Sequence, residues 1–260
     1  MRDLLKKIRK VDSIFERKSA AGFSFDEICK ILSSLMNSNV YVVNTKGRLM
    51  GVHYENKEDS VVIYDYESGS EWIVDEANTS FLEIAETEAN ISGTYAESIF
   101  KVLPKNQFNK LHMIIPIYGG GQRLGTIFFA RYDEKFTVED VILGEHVSTI
   151  IGIEIERRRY RRIEEIRRNK SLARMAIDSL TGTEKIAAKL IFNELEGDTT
   201  LLVLRKIADR EHITRSICLN ALRKIESAGI IETRSYGAKG TEIKVLNKVF
   251  PQELFSDDQS

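Results

Sequence analysis

Apolar positions along the chain fall into helical and alternating runs whose order changes near residue 137. Residues 2–18 place Leu4, Leu5, Ile8, Val11 and Phe15 at helical spacing. Ser24-x-x-Glu27 then reads as a capping box that opens a second helix through Ile28, Ile31, Leu32 and Leu35. Alternation takes over in NVYVVN (39–44) and RLMGVH (48–53), which Thr45-Lys46-Gly47 joins into a β-hairpin. Residues 54–110 mix a β-branched and aromatic run, VVIYDY (61–66), with a helical-looking acidic stretch, SFLEIAETEA (80–89). They are taken as a variable α/β insertion. At 111–132 two strongly apolar runs flank Gly119-Gly120-Gly121, predicting a hairpin in a sheet with at least one covered face. Pro116 lacks a ladder donor, so a free edge or an irregularity is expected beside it.

Thr137-x-x-Asp140 caps a new pattern in which Val141, Ile142, Val147, Ile150, Ile151, Ile155, Ile163, Ile166, Ala173 and Ile177 recur to about Leu180. This predicts one long helix or two nearly collinear ones, with Gly144 and Gly152 permitting close packing. Thr181-x-x-Glu184 opens a further helix to about Leu195, with Ile186, Leu190 and Ile191 turned inward, and Gly197-Asp198 ends it. Residues 202–209 read as a short helix, Glu211-His212-Ile213 as a turn, and Thr214 as the N-cap of the next helix. In that helix Ile217, Ala221, Ile225 and Ala228 face the core, with Cys218 and Leu222 bordering them, and Gly229 supplies the stop. Residues 230–234 and 241–245 form a hairpin. Helix, turn, helix and hairpin in this order make a winged helix-turn-helix. Arg215, Ser216, Leu219, Asn220 and Arg223 are left outward; Arg and Asn are residue types that read base edges. Arg234, Tyr236 and Lys239 on the wing are placed for phosphate or a minor groove. The alternative, a small helical bundle with a charged surface, leaves the complete order of elements unexplained.

Charge distribution strengthens this picture. The chain of 260 residues has a net charge of -1, but residues 157–250 hold 21 Lys and Arg against 12 Asp and Glu. A basic C-terminal half beside an acidic N-terminal half points to a polyanion partner for the former alone. The run from Arg157 to Arg162, followed by Glu164 and Glu165, has two readings: a solvated, ion-paired helix face, or a face near phosphate. Mean hydropathy is -0.24, and no apolar run approaches the length needed to cross a bilayer. The N-terminal MRDLLKKIRKVDSIF lacks the apolar core of a secretory signal, and the two cysteines, Cys29 and Cys218, lie far apart. The expected location is cytoplasmic. An enzyme is not expected. The four histidines share no metal spacing, and Gly119-Gly120-Gly121 lacks the Gly-Lys-Ser/Thr ending of a phosphate loop, so it reads as a turn needing positive φ.

Two resemblances follow. Pro116, Ile117, Gly121, Leu124 and Gly125, followed by Phe136, Thr137 and Asp140, resemble the end of a GAF-type α/β sensor domain, with helices on one sheet face and a small-molecule pocket on the other. ADREHITRSICLNALRKIESAGIIETRSYGAKGTEIKV (208–245), IPIYGGGQRLGT (115–126) and ILGEHVSTIIGIEI (142–155) resemble the CodY family of bacterial global regulators. The resemblance implies a GAF-type domain at 1–136, a long linker helix at 137–180, a winged helix-turn-helix domain at 181–250 and a tail at 251–260. It implies a homodimeric, nutrient-sensing regulator, mainly a repressor, that holds AT-rich double-stranded operators when loaded with branched-chain amino acid (isoleucine, leucine, valine) and/or GTP. No tightly bound cofactor and no membrane contact are implied. The DNA-binding residues are Thr214, Arg215, Ser216, Asn220, Arg223, Arg234 and Lys239. Leu103 and Pro104 match the amino-acid pocket, and Lys46, Arg48, Glu154 and Arg159 match the nucleotide site. In the family an arginine beyond the first hairpin grips the amino-acid carboxylate; residues 49–100 here contain none. Backbone N–H groups, or a different ligand, are the alternatives. Two rival functions are a nucleotide-hydrolysing signalling enzyme with an accessory DNA-binding domain and an effector-independent architectural DNA-binding protein.

Overall fold

The computed structural model describes residues 2–18, 23–55, 62–65, 69–99, 110–132 and 134–256. The chain divides into two compact units, 1–158 and 159–260. In chain order the first holds α1 (Arg2–Lys18), α2 (Phe25–Met36), β1 (Asn39–Asn44), β2 (Leu49–His53), β3 (Val62–Asp65), β4 (Ser70–Ile73), α3 (Asp75–Glu83), β5 (Glu88–Ile91), α4 (Gly93–Ile99), β6 (Leu111–Gly119) and β7 (Gln122–Arg131). The helix α5 (Val138–Asp178) begins in this unit.

A five-stranded antiparallel sheet, ordered β2-β1-β7-β6-β5, organises the first unit, and β3 and β4 pair separately. Strand side chains alternate between two cores. Val40, Val42, Met113, Ile115, Ile117, Ile127 and Phe129 join Ile28 and Leu32 of α2 and Leu143, Val147 and Ile151 of α5. Tyr41, Val43, Ile114, Phe128 and Ala130 join Ile73, Phe81 of α3 and Ala96 of α4 on the opposite face. Two covered faces explain why the strands read as almost unbroken apolar runs. Gly152 lets α5 meet β6, since a Cβ there would collide with the Tyr118 carbonyl oxygen, and Gly144 similarly admits Ile115. Pro116 lies beyond the last β5 partner and pairs on one side only, with Thr126 of β7. Its carbonyl accepts a hydrogen bond from Ser148 of α5 at 2.7 Å. Gly120 and Gly121 form a two-residue turn with φ of 54° and 77°, the left-handed pair a tight hairpin requires.

The start of α5 is fastened by a buried hub. The Thr137 N–H donates to Asp140 Oδ2 at 3.0 Å, and the Asp140 N–H donates to Thr137 Oγ1 at 3.2 Å. The same Asp140 oxygen meets Arg131 at 3.0 Å, both side chains being buried. Arg131 also donates to the carbonyls of Met36, Glu134 and Lys135.

Local patterns mislead at several places. Residues 80–89 are not one helix: α3 ends at Glu83, and Glu88–Ile91 is strand β5. Arg123 of β7 donates to the carbonyls of Phe81 and Ile84 at 3.0 and 2.6 Å, capturing helix-end acceptors from about forty residues away. Ser24 caps α2 by accepting from the Asp26 N–H rather than that of Glu27.

The second unit contains the rest of α5, then α6 (Gly182–Asn193), β8 (Thr199–Leu202), α7 (Leu204–Arg210), α8 (Arg215–Ser227), β9 (Ile231–Ser235), β10 (Thr241–Val245) and α9 (Phe250–Ser256). A three-stranded sheet ordered β8-β10-β9 backs the helices. Thr181 and Glu184 form the complete reciprocal capping box of α6. Ile186 is exposed, contrary to the inward placement expected for it; α6 buries Ala187, Ala188, Ile191 and Phe192, whose small members allow close approach. Leu202 lies in β8 and not in the first helix, because Thr199–Leu202 pairs with β10, a partner some forty residues on. The C-terminal segment read as a tail is in part helical: α9 buries Phe250 and Leu254 in this unit's core, Phe250 against Phe192 at a 5.0 Å centroid distance.

Candidate nucleic-acid interface and effector sites

The chemistry available for nucleic acid rests on how α8 is held. α7 buries Leu204, Ile207 and Ala208. His212 takes a left-handed conformation, φ 55°, in the turn, and the Ile213 N–H donates to the Ala208 carbonyl at 3.1 Å. Thr214 is extended, and its hydroxyl accepts from the Ile217 N–H at 3.3 Å, satisfying one orphan donor of the first turn. α8 then buries Cys218, Ala221, Leu222 and Ile225. Ala221 and Ile225 are buried as expected and the bordering Cys218 and Leu222 are buried with them, whereas Ile217 and Ala228 are only half-buried, as is Leu219, expected outward. Burial pushes the Cys218 thiol pKa up, leaving it a packing group. Gly229, φ 70°, ends the helix, as expected.

Thr214, Arg215, Ser216, Asn220 and Arg223 are all exposed on this helix. Cationic forks, one amide and two hydroxyls on an exposed surface are the donor and acceptor types suited to base edges and phosphate. On the wing Arg234 and Lys239 are exposed as well, with the Arg234 guanidinium 5.5 Å from the Tyr236 ring centroid. The wing angle is set by Glu226, which carries no signal of its own in the sequence. Its Oε1 accepts from both the N–H and the hydroxyl of Thr233 in β9, at 2.7 and 2.9 Å. Nothing local announces that clasp, since it links a helix to a strand beyond the Gly229 stop.

Residues matched to effectors are more scattered. Lys46 and Arg48 are exposed on the β1–β2 turn. Asn44 Oδ1 accepts from both of their N–H groups at 2.8 and 3.0 Å, and Gly47 has φ 85°. Glu154 is buried on α5, where its carboxylate is held by Arg157 at 2.5 Å and Arg158 at 2.8 Å. Arg158 in turn donates to the Phe23 carbonyl and lies over the Phe25 ring. Arg159 is exposed and opens the second compact unit. Leu103 and Pro104 lie outside the described residues. On the α3 side of the sheet, Tyr41, Phe81 and His112 pack around Phe128 in the buried core of that face. Arg123 does not take the carboxylate-gripping role in this arrangement. Its guanidinium already donates to three backbone carbonyls and to Thr126.

Comparison with known proteins decides among these readings. Residues 3–179 match the family model of the CodY GAF-like domain, and residues 195–257 match that of the CodY helix-turn-helix domain. The chain is 40% identical over 255 residues, 98% of each chain, to the global transcriptional regulator CodY of Clostridium perfringens. It is 42% identical over 257 residues, 97% of each, to that of Lysinibacillus sphaericus.

The chain belongs to the CodY family.

A solved structure, described as the cofactor binding GAF domain of the nutrient sensor CodY from Clostridium difficile, superposes with a TM-score of 0.50 at 34% identity. It covers 58% of this chain and 96% of its own. The architecture is accordingly a CodY GAF-like domain, the long helix α5, and a C-terminal helix-turn-helix domain with a small wing sheet. CodY proteins are transcriptional regulators and not enzymes, which sets the nucleotide-hydrolysing alternative aside. Among the described residues, no helix is long and apolar enough to cross a membrane.

Proposed function

We propose that this CodY-family chain binds AT-rich operator DNA as a homodimer and releases it when its effectors, branched-chain amino acid and/or GTP, are lost. The observation that carries the reading is the exposed face of α8. Arg215 and Ser216 stand in its first turn, the part of a recognition helix that reaches deepest into a major groove, and Asn220 and Arg223 are exposed further along it. Arg234 and Lys239 extend the footprint to the backbone or minor groove as phosphate-contacting cations. Dimerisation is supported by Tyr160, Ile163 and Ile166, apolar side chains left exposed on α5 that a second copy would cover.

For effectors, support is of two kinds. The apolar and aromatic side chains on the α3 side of the sheet suit a branched side chain, and Leu103 and Pro104, outside the described residues, are the amino-acid contacts the resemblance implies. For a nucleotide, Lys46, Arg48, Glu154 and Arg159 are the proposed contacts, of which Lys46 and Arg48 are exposed cations on the β1–β2 turn. The Clostridium difficile domain, described as cofactor binding, supports a small-molecule role for the matching domain here. The proposed domain division is 1–136, 137–180 and 181–250, followed by 251–260.

Titrating a fluorescent AT-rich duplex, selected from a randomised pool by the wild-type chain, tests the reading at fixed salt. Arg215→Ala is expected to cost about 1–3 kcal/mol of binding, and Ser216→Ala less, with melting temperature unchanged. Wild-type affinity in both variants would reject the reading face. Equal binding with and without isoleucine and GTP would instead favour an effector-independent architectural protein.

A further inference from the structure

Lys224 stands beside Arg223 on α8 but turns back toward the body of its own unit. Its ammonium donates to the Ser179 carbonyl at 3.0 Å and to Glu184 Oε2 at 2.6 Å. Ser179 directly follows the last residue of α5, where backbone carbonyls lack helical partners and the helix dipole is negative. Glu184 is the capping-box carboxylate of α6; it is buried, and it also accepts from the Thr181 N–H at 2.8 Å. The Lys224 hydrogen bond and then the Thr181 N–H hold its pKa below the ordinary glutamate value. One ammonium therefore joins three elements: the end of α5, the start of α6 and the recognition helix. Beside it, α5 and α8 are parted by an open hollow of about 470 Å³ lined by Leu172, Met175, Ala176, Ser227 and Ala228. The polar clasp stands at this hollow, beside the core that Ala173, Ala176 and Ile177 of α5 share with Ala221, Leu222 and Ile225 of α8.

We propose that Lys224 is a positioning residue for operator recognition: clasped between Ser179 and Glu184, it sets the angle of α8 against the C-terminal end of α5 without touching DNA. Thr214 fixes where α8 begins and Glu226 fixes the wing to its far end, whereas Lys224 fixes its orientation to the helix that precedes the domain. Loss of the clasp lets α8 tilt about its buried Ala221 and Ile225. The Arg215 and Asn220 side chains are then displaced from base edges while the basic surface remains. Sequence-selective binding should fall, and sequence-independent binding should not.

The inference rests on the proposed operator binding, and the experiment separates the two. The full chain is titrated with the selected AT-rich duplex and with a random duplex of equal length, over a range of salt concentrations, with isoleucine and GTP present. If the wild type shows no preference for the selected duplex, the operator reading fails and this inference falls with it. If the wild type does discriminate, Lys224→Met is expected to lose about tenfold in affinity for the selected duplex and to change less than about twofold on the random one. The slope of log affinity against log salt should match that of the wild type. Lys224→Arg should restore selective binding to within about threefold, because a guanidinium also reaches a carboxylate and a carbonyl. Glu184→Gln, which retains a capping-box side chain, should share the loss, and the double variant with Lys224→Met should bind no worse than the weaker single one. Wild-type selectivity in Lys224→Met, equal loss on both duplexes, or a salt slope reduced by about one would each overturn the proposal. The last would make Lys224 a phosphate contact.

Discussion

In the winged-helix unit the exposed side chains of the proposed reading face all come from one stretch, Thr214 to Arg223, on a helix with its own cap and its own stop. In the GAF-like unit Arg131 of β7 gathers carbonyls from α2 and from residues 134–135 and a carboxylate from α5, where sheet and helix meet. The α8 face is delimited by local signals and presents its chemistry outward, whereas the Arg131 hub is built from long-range polar contacts and turns its chemistry inward. The difference predicts where single substitutions act most: on binding at the exposed α8 face, on stability at the buried Arg131 hub.

The sharpest way to break that comparison is Asp140→Ala. It leaves Arg131 buried beside an empty position and should cost about 3–5 kcal/mol of unfolding free energy. The single tryptophan of the chain, Trp72, lies in the GAF-like unit, so its fluorescence in a urea titration follows that unit. A cost below about 1 kcal/mol would mean that the three carbonyls alone satisfy Arg131. Next in size is Gly152→Val, where the new side chain meets the Tyr118 carbonyl; about 1–3 kcal/mol is expected in the same transition. An unchanged transition would show that α5 can stand off the sheet at no cost. The smallest effect belongs to the other region. Thr214→Ala removes the N-cap of α8 and should cost about 1 kcal/mol of stability in the winged-helix unit, followed by the loss of far-ultraviolet helical signal, with the Trp72 transition unmoved. If Trp72 responded to Thr214→Ala as strongly as to Asp140→Ala, the contrast between local and long-range assembly would collapse.

The same contrast describes how much could be read in advance. The capping boxes at Thr137 and Thr181, the Thr214 cap, the Gly229 stop and the Gly120-Gly121 turn are all present at the places their residue types indicate. Each depends on neighbours within a few positions, so composition and spacing suffice. The features that misled are of another kind. Strand β8 is recognisable only through its pairing with β10, and the end of α3 only through Arg123. Residues 80–89 have helical spacing throughout, yet the carbonyls released at Phe81 and Ile84 are better served by a guanidinium from β7 than by another helical turn. The inward stripe of α8 keeps Ala221 and Ile225 but leans toward Cys218 and Leu222, because which edge of the stripe is covered is settled only by the packing partner.

By itself, the sequence determined the order of most elements, the caps and turns that delimit them, and the residue types on the recognition helix, because all of these are decided within a turn or two of chain. Only the tertiary structure decided which of those residues are turned toward a partner. Arg158, in a charge run open to a solvated or a phosphate-facing reading, donates instead to the Phe23 carbonyl and stacks on Phe25, more than a hundred residues away in the chain. Lys224, one more lysine in a basic helix, becomes the clasp between α5, α6 and α8. A charged group finds its lowest free energy in whichever carbonyl or carboxylate the fold brings within about 3 Å, and that partner is set by packing across the domain rather than by spacing along the chain.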